Sequence, residues 1–178
     1  MKDRPNIKFG TDGWRAIIGE DFTFDNVRAC AEAVARNLIQ TERADQGVVV
    51  GFDTRYGSKR FATAVTETLN SFGIKTYIFD VPAPTPACSF SVVDQKAANG
   101  VMITASHNAP EWNGFKVKSN SGGSAAPEEI VDIEAHLHRV LEGTTNRISA
   151  SQAQNHAFDV ITSYIEQLKR VIDVEPIK

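Results

Sequence analysis

The sequence predicts an α/β fold, a three-layer α/β/α sandwich around a mostly parallel mixed sheet. Short apolar runs alternate with longer segments that repeat apolar residues at helical spacing, an order typical of parallel sheets. The β-branched run at residues 47–52 is bounded by glycine and favours a strand buried on both faces.

The first half of the chain predicts helices and strands in alternation. Thr23 or Asp25 is suited to cap the first helix, because a short polar side chain can accept from a free amide of the first turn. Ser58 is placed to cap the second helix, and Gly73 to end it. The predicted elements are a helix with inward residues from Val27 to Leu38, a strand at 47–52, a helix with inward residues from Phe61 to Phe72, and a strand at 74–79.

A proline-rich loop at residues 81–86 follows, because prolines lack the amide donors that a central strand needs. A helix from about 85 to 93 and a third short strand at 100–104 come next. Asn113-Gly114 is a strong turn signal, so residues 115–118 are expected to return as an added strand.

The last third of the chain predicts a surface loop at 120–126 and two further helices. Pro127 suits the first turn of one helix, which Gly143 ends. A polar connector at 144–154 leads to a final helix at about 157–172. Its apolar face is formed by Ile161, Ile165, Leu168 and Ile172.

Composition limits the function classes. The 178 residues are enough for one domain with a sizeable core, and a net charge of −3 gives no electrostatic footprint for nucleic acid. No apolar run approaches the about 20 residues that span a membrane, and the N-terminus lacks the apolar core of a signal peptide. Cys30 and Cys88 lie far apart and fit two buried thiols in a reducing compartment. We expect a cytoplasmic protein.

The loop after residue 103 carries the richest chemistry. Ligands of open α/β sheets bind beyond the carboxyl ends of the strands. There, Ser106 stands beside His107 and Asn108, and Lys116 returns after the predicted turn. Arg15, in a glycine-rich N-terminal segment, adds a further cation. Such cations donate charge-assisted hydrogen bonds to phosphoryl oxygens, so a phosphate monoester could be held at Ser106.

Two rival interpretations compete with phosphate chemistry. A serine hydrolase would use Ser106 and His107, but adjacent loop residues rarely orient as nucleophile and base, and no G-x-S-x-G turn occurs. A nucleotide-binding domain is weaker, because the chain has no G-x-G-x-x-G after its first strand and no G-x-x-x-x-G-K-[ST]. The residues alone also fit a polar loop without catalysis.

Three segments resemble the α-D-phosphohexomutases, the phosphoglucomutase and phosphomannomutase family, in that family's order. The first is Phe-Gly-Thr-Asp-Gly-Trp-Arg at 9–15, and the second is Gly-Phe-Asp-Thr-Arg at 51–55. The third, Thr-Ala-Ser-His-Asn at 104–108 through Asn-Gly-Phe-Lys at 113–116, is similar to the family's phosphoserine loop. The likeness extends over nearly the whole chain.

The resemblance implies a role for each matching residue. Ser106 would carry the phosphoryl group exchanged with a hexose 1- or 6-phosphate through a 1,6-bisphosphate. Arg15 and Lys116 would neutralise the transferring group, and His107 or Lys116 would assist proton transfer. Thr11 and Asn108 would join Arg15 and Lys116 in binding the phosphate. Asp53 and Arg55 would shape the loop floor, and Mg²⁺ would bind an oxygen of phosphorylated Ser106.

The same resemblance implies missing parts. The family's complete enzymes have four domains, and the metal's carboxylate ligands come from an aspartate-rich D-G-D-x-D-R loop that this sequence lacks. We therefore expect a first domain at residues 1–155 and a linker helix at 156–178 leading to an absent second domain. The fragment itself is expected to be inactive.

One position departs from the family pattern, and two alternatives stay open. The family usually has proline directly after Ser-His-Asn, whereas this chain has Ala109 followed by Pro110, which restrains Ala109 to extended conformations. The substrates implied are the glucose or mannose 1- and 6-phosphates and the 1,6-bisphosphate. The alternatives are a phosphoglucosamine mutase domain and a non-catalytic phosphosugar-binding or regulatory module.

Overall fold

A six-stranded sheet covered by helices on both faces forms the centre of the protein. The computed structural model describes residues 7–10, 13–145, 153 and 155–173. Its strand order is β1-β5-β4-β2-β3-β6, with β2, β3, β4 and β6 parallel and β1 and β5 antiparallel to their neighbours. The strands are β1 (Trp14–Ile17), β2 (Val48–Phe52), β3 (Thr76–Phe79), β4 (Asn99–Ile103), β5 (Trp112–Lys118) and β6 (Asn155–Phe158).

The helices form two layers, which confirms the predicted three-layer α/β/α sandwich. They are α1 (Phe24–Gln40), α2 (Ser58–Ser71), α3 (Thr85–Asp94), α4 (Pro127–Leu141) and α5 (Val160–Val171). The chain moves from β2 to β3 through α2 and back past β2 to β4 through α3. Right-handed crossovers in opposite directions place their helices on opposite faces. Accordingly, α1 packs against α2 and α4, while α3 packs against α5.

Several local predictions are confirmed. The Thr23 hydroxyl accepts from the amide of Asn26 and caps α1. Gly73 adopts a φ of +79° just after α2, a conformation that glycine adopts without a steric penalty. Pro127 is the first residue of α4, where the missing amide costs nothing. Every residue of β2 and β4 is buried, as expected for central strands.

Ser58 does not cap α2, contrary to the prediction. Gly57 occupies the cap position in a left-handed conformation, and Ser58 is the first helical residue. The Ser58 hydroxyl instead donates to Oδ1 of Asp53 at 2.7 Å. The Ser58 oxygen, which was predicted to accept from a helix amide, accepts from Nδ2 of Asn113.

Asn113-Gly114 does not form a turn, so that prediction is wrong. Both residues lie inside β5, which begins at Trp112 and pairs with β4 on one side and β1 on the other. Gly114 is needed here for close packing of strands, because a Cβ atom would lie 2.5 Å from the Thr104 carbonyl oxygen. The reversal of the chain occurs earlier, between the end of β4 and Trp112.

The C-terminal region also differs from the prediction. The expected helix at 157–172 begins only at Val160, because Asn155–Phe158 forms β6 and pairs with β3. Ile161, Ile165 and Ile172 of the predicted apolar face are 36–46% exposed, so that face is partly open to solvent. Most of the predicted connector at 144–154 lies outside the described residues. No helix in the described ranges is both long and apolar enough to cross a membrane.

The two cysteine thiols are expected to be unreactive in the native protein. Cys30 on α1 and Cys88 on α3 are fully buried and unpaired. Burial raises the pKa of Cys88 to about 12 and that of Cys30 still further, which removes the reactive thiolate. We expect Ellman's reagent to modify them at least about a thousandfold more slowly than an exposed cysteine introduced as Ser121→Cys. Rapid modification without denaturant would contradict this.

Candidate active site

The loops after β2 and β4 form a cleft at the carboxyl edge of the sheet. The chain leaves β2 toward β3 and leaves β4 toward β5, so the two connections diverge and open a crevice. The cleft has a volume of about 470 Å³ and is lined by Asp53, Thr54, Arg55, Tyr56, Ser106, Asn108 and Pro110. The structure therefore brings the second and third of the predicted motifs together.

Ser106 stands exposed at the tip of the loop after β4. Its φ of +57° is left-handed, an uncommon conformation for a residue with a side chain. The Thr104 hydroxyl accepts from the Ser106 amide at 2.9 Å and helps to hold that conformation. The Ser106 Oγ lies 3.3 Å from Nδ1 of His107, within hydrogen-bond reach. The loop thus presents a hydroxyl to solvent with an imidazole beside it.

Arg55 holds the loop from below through four main-chain carbonyls. Its Nη1 donates to the carbonyl oxygens of Ala109 at 2.9 Å and Trp112 at 3.1 Å. Its Nη2 donates to those of Ser106 at 2.9 Å and Asn108 at 2.5 Å. The guanidinium therefore ties both ends of the loop to one planar group, a geometry that lysine cannot reproduce.

Asp53 completes this support from the end of β2. Its Oδ1 accepts from the amide of Arg55 at 2.9 Å, and its Oδ2 lies 3.6 Å from Nε of Arg55. The Ser58 hydroxyl donates to Asp53 and accepts from Nδ2 of Asn113 at 2.9 Å. A continuous set of hydrogen bonds thus connects the loop after β2 to the start of β5, which lies just beyond the Ser106 loop.

Arg15 reaches the loop from β1, at the edge of the sheet. Its Nη1 donates to Oδ1 of Asn108 at 2.8 Å. Arg15 lies opposite Gly114 in the antiparallel register, and the absence of a side chain on Gly114 allows the approach. Lys116, two residues further on β5, is only 5% exposed and packs where a Cβ on Gly13 would touch it. Thr11 lies outside the described residues.

The residues around Ser106 do not by themselves fit a magnesium site. Magnesium prefers oxygen ligands with carboxylates among them. Asp53 is the carboxylate that lines the cleft, and both of its oxygens already face Arg55 or Ser58. Within the described ranges, no group of three or more histidine, cysteine, aspartate or glutamate side chains could hold a metal ion.

Ser58 and Asn113 support the site, although the sequence analysis gave them other roles. Both are fully buried and polar, and each finds its partner in a different segment of the chain. Tyr56, which lines the cleft, was not singled out at all. Tyr56 and Ser58 directly follow the second motif, and Asn113 belongs to the third, but positions along the chain do not reveal which side chains meet.

Comparison with known proteins relates this chain to one family of enzymes. The family model described as phosphoglucomutase/phosphomannomutase, alpha/beta/alpha domain I, matches residues 6–144. A Schizosaccharomyces pombe protein named "Probable phosphoribomutase" is 39% identical over 79% of this chain and 25% of its own length. A phosphoglucosamine mutase of Prochlorococcus marinus is 31% identical over 86% of this chain and 33% of its own length.

A solved structure agrees with the fold over almost the whole chain. A Thermus thermophilus protein described as a "putative phosphomannomutase" superposes with a TM-score of 0.82 at 39% identity. The match covers 95% of this chain and 37% of that protein. The chain therefore spans about a quarter to a third of the length of the curated relatives it matches.

Proposed function

Because the chain belongs to the phosphoglucomutase/phosphomannomutase family, we propose that it is the first domain of a phosphohexomutase and carries the phosphoryl group on Ser106. The observation that supports this most strongly is the exposed Ser106 hydroxyl on a loop held by the four Arg55 contacts. A fixed loop presents the hydroxyl in one geometry, which favours group transfer over a flexible surface serine.

The proposed step exchanges one phosphoryl group between two oxygens. A hydroxyl of the hexose phosphate attacks phosphorus on phosphorylated Ser106, the bond from phosphorus to Ser106 Oγ breaks, and a hexose 1,6-bisphosphate forms. The hydroxyl proton passes to His107 or Lys116. In the second step, Ser106 Oγ gives its proton to His107 or Lys116 and attacks the other phosphate of the intermediate. The bond from that phosphorus to the sugar oxygen breaks, and the sugar oxygen takes up a proton as the isomeric monophosphate leaves.

Positively charged side chains would stabilise the charge of the transferring group. Arg15 and Lys116 would neutralise phosphoryl oxygens, and Asn108, already bonded to Arg15, would donate through its amide nitrogen. Thr11 would add a hydroxyl contact. Mg²⁺ would bind an oxygen of phosphorylated Ser106, and its remaining ligands would come from the rest of a longer protein.

We propose that residues 1–155 form this domain and that residues 156–178 link it to a second one, although the linker begins inside β6, a strand of the domain's sheet. The match to the domain I model ends at residue 144, before β6 and α5. The exposed isoleucines of α5 leave an apolar stripe that another part of a longer chain could cover. Without the other domains, the 178-residue chain is expected to have no mutase turnover.

Hexose phosphates are the proposed substrates, in particular glucose or mannose 1- and 6-phosphates. The domain of a phosphoglucosamine mutase is the second candidate, since a relative with that name is 31% identical to the chain. A cytoplasmic location is proposed because these are soluble metabolites. A non-catalytic phosphosugar-binding or regulatory module would keep the same fold without phosphorylating Ser106.

Transfer of label to Ser106 tests the proposed function. In the full-length protein that contains this chain, ³²P-labelled glucose 1,6-bisphosphate is expected to phosphorylate Ser106, as located by peptide mass spectrometry. Ser106→Ala is the matched control and should take up no label. The 178-residue chain should show no mutase turnover in a coupled assay.

Labelling with a second reagent, a fluorophosphonate, separates the proposed mutase domain from its rivals. A serine hydrolase would be labelled at Ser106 by a fluorophosphonate, which the mutase should resist. Fluorophosphonate labelling without phosphoryl transfer from the bisphosphate would overturn the proposal. Absence of both labels would favour the non-catalytic module.

A further inference from the structure

Tyr56 is an exposed aromatic residue on the wall of the Ser106 cleft. Its side chain is 79% exposed, the most exposed large hydrophobic residue in the part of the chain that the structure describes. It lines the same 470 Å³ cleft as Ser106 and Asn108. Aromatic rings bury about 150–250 Å² when they find a partner, so an open ring beside a polar cleft offers a large unused contact surface.

The main chain on both sides of Tyr56 is held in place. Arg55, just before it, is fixed by its four carbonyl contacts and by Asp53. The Tyr56 carbonyl accepts from Nδ2 of Asn113 at 3.4 Å, and Gly57 begins α2 by accepting from the amide of Phe61. Because the backbone is fixed, contact with a ligand would order only the few side-chain torsions of one tyrosine.

The chemistry of the ring matches one part of a phosphosugar. Arg15, which donates to Asn108 of the cleft, suits the phosphoryl group, whereas the pyranose ring also presents C–H groups with partial positive charge. The face of an aromatic ring carries partial negative charge and attracts such groups, and the phenol hydroxyl can bond to sugar hydroxyls. A wall with a tyrosine beside a phosphate-binding loop therefore fits a hexose phosphate better than inorganic phosphate.

We propose that Tyr56 is a substrate-contacting residue that packs against the C–H face of the hexose ring while the phosphate faces the Ser106 loop. This inference rests on the proposed function, because it assigns the same cleft to a phosphosugar. Tyr56 would thus contact the sugar from the same domain that carries Ser106, although Tyr56 lies outside the phosphoserine loop.

The test is an NMR titration of the 178-residue chain with glucose 1-phosphate and, separately, inorganic phosphate. The chain has three tyrosines, so Tyr77 and Tyr164 serve as internal references when tyrosine rings are labelled with ¹³C. Both ligands should shift the amides of residues 104–109, but only glucose 1-phosphate should shift the Tyr56 ring. Tyr56→Phe assigns that resonance.

Affinity variants complete the test. Tyr56→Ala should raise the Kd for glucose 1-phosphate about fivefold to tenfold and leave that for phosphate unchanged. Tyr56→Phe should stay within about twofold of wild type, because the ring remains. Val131→Ala, which shortens an exposed side chain on α4, is the control and should change neither Kd.

Two negative outcomes are distinguishable. If glucose 1-phosphate shifts the loop amides while the Tyr56 ring stays unchanged, or if Tyr56→Ala binds like wild type, Tyr56 does not contact the sugar and only this inference fails. If neither ligand shifts the loop amides, the chain has no phosphate site at Ser106, and the proposed function fails together with the inference.

Discussion

Arg55→Ala is expected to disorder the Ser106 loop and to lower the rate of Ser106 phosphorylation at least about a hundredfold. Four carbonyl oxygens lose their donor at once, and Asp53 keeps a partly buried carboxylate without its cation. Breaking such a set costs about 3 kcal/mol of unfolding free energy. Urea denaturation and the rate of labelling by glucose 1,6-bisphosphate measure the two effects.

Arg55→Lys separates charge from geometry. Lysine keeps the positive charge but cannot reach four carbonyls from one planar group, so most of the rate loss should remain. Arg170→Ala, an exposed residue on α5, is the matched control and should change stability by less than about 0.5 kcal/mol. Millimolar guanidinium should restore part of the rate in Arg55→Ala. If the amides of residues 106–112 kept their wild-type chemical shifts in both Arg55 variants, Arg55 would not be needed to hold the Ser106 loop.

Gly114→Ala is expected to lower the unfolding free energy by about 3 kcal/mol, since the added methyl group meets backbone that cannot move away. The new Cβ would lie 2.5 Å from the Thr104 carbonyl oxygen and 2.9 Å from that of Trp14. Strands on both sides of Gly114 are fixed by hydrogen bonds, including that from the Thr104 amide to the Gly114 carbonyl at 3.0 Å. Calorimetry should show a fall in Tm of about 6–12 °C.

Gly123→Ala is the control for this substitution. Gly123 lies in the loop after β5, and a Cβ there would come no closer than 3.7 Å to a serine hydroxyl. Its stability should stay within about 0.5 kcal/mol of wild type. Equal Tm values for the two alanine variants would show that the sheet opens at Gly114 more easily than the structure implies.

Local chemistry predicted much of the fold because it acts over a few residues. The Thr23 cap, the Pro127 start of α4 and the Gly73 stop each depend on the backbone of neighbouring residues. The valines of β2 make both faces of that strand apolar, which predicted a strand at the centre of the sheet. The second and third motif segments each begin at or follow a strand of the sheet, and the structure brings them together in one cleft.

Long-range packing overrode local preference elsewhere. Asn113-Gly114 is a turn signal by composition, yet strands on both sides require a residue without a Cβ at Gly114. Ser58 suits a helix cap, but its hydroxyl oxygen accepts from Nδ2 of Asn113 at 2.9 Å, a partner that comes from the distant strand β5. In each case the deciding partner lies in a segment whose approach the sequence does not show.

The sequence by itself determined the α/β class, the order of most elements and the candidate nucleophile Ser106, because periodicity and motif spacing are properties of the chain. Only the tertiary structure decided how the site is supported. Arg55 binds four carbonyls more than fifty residues away, and Asn113 reaches Ser58 over a similar separation. Such contacts depend on the distances between folded segments, which are set by how the strands pair and how closely glycine lets them approach.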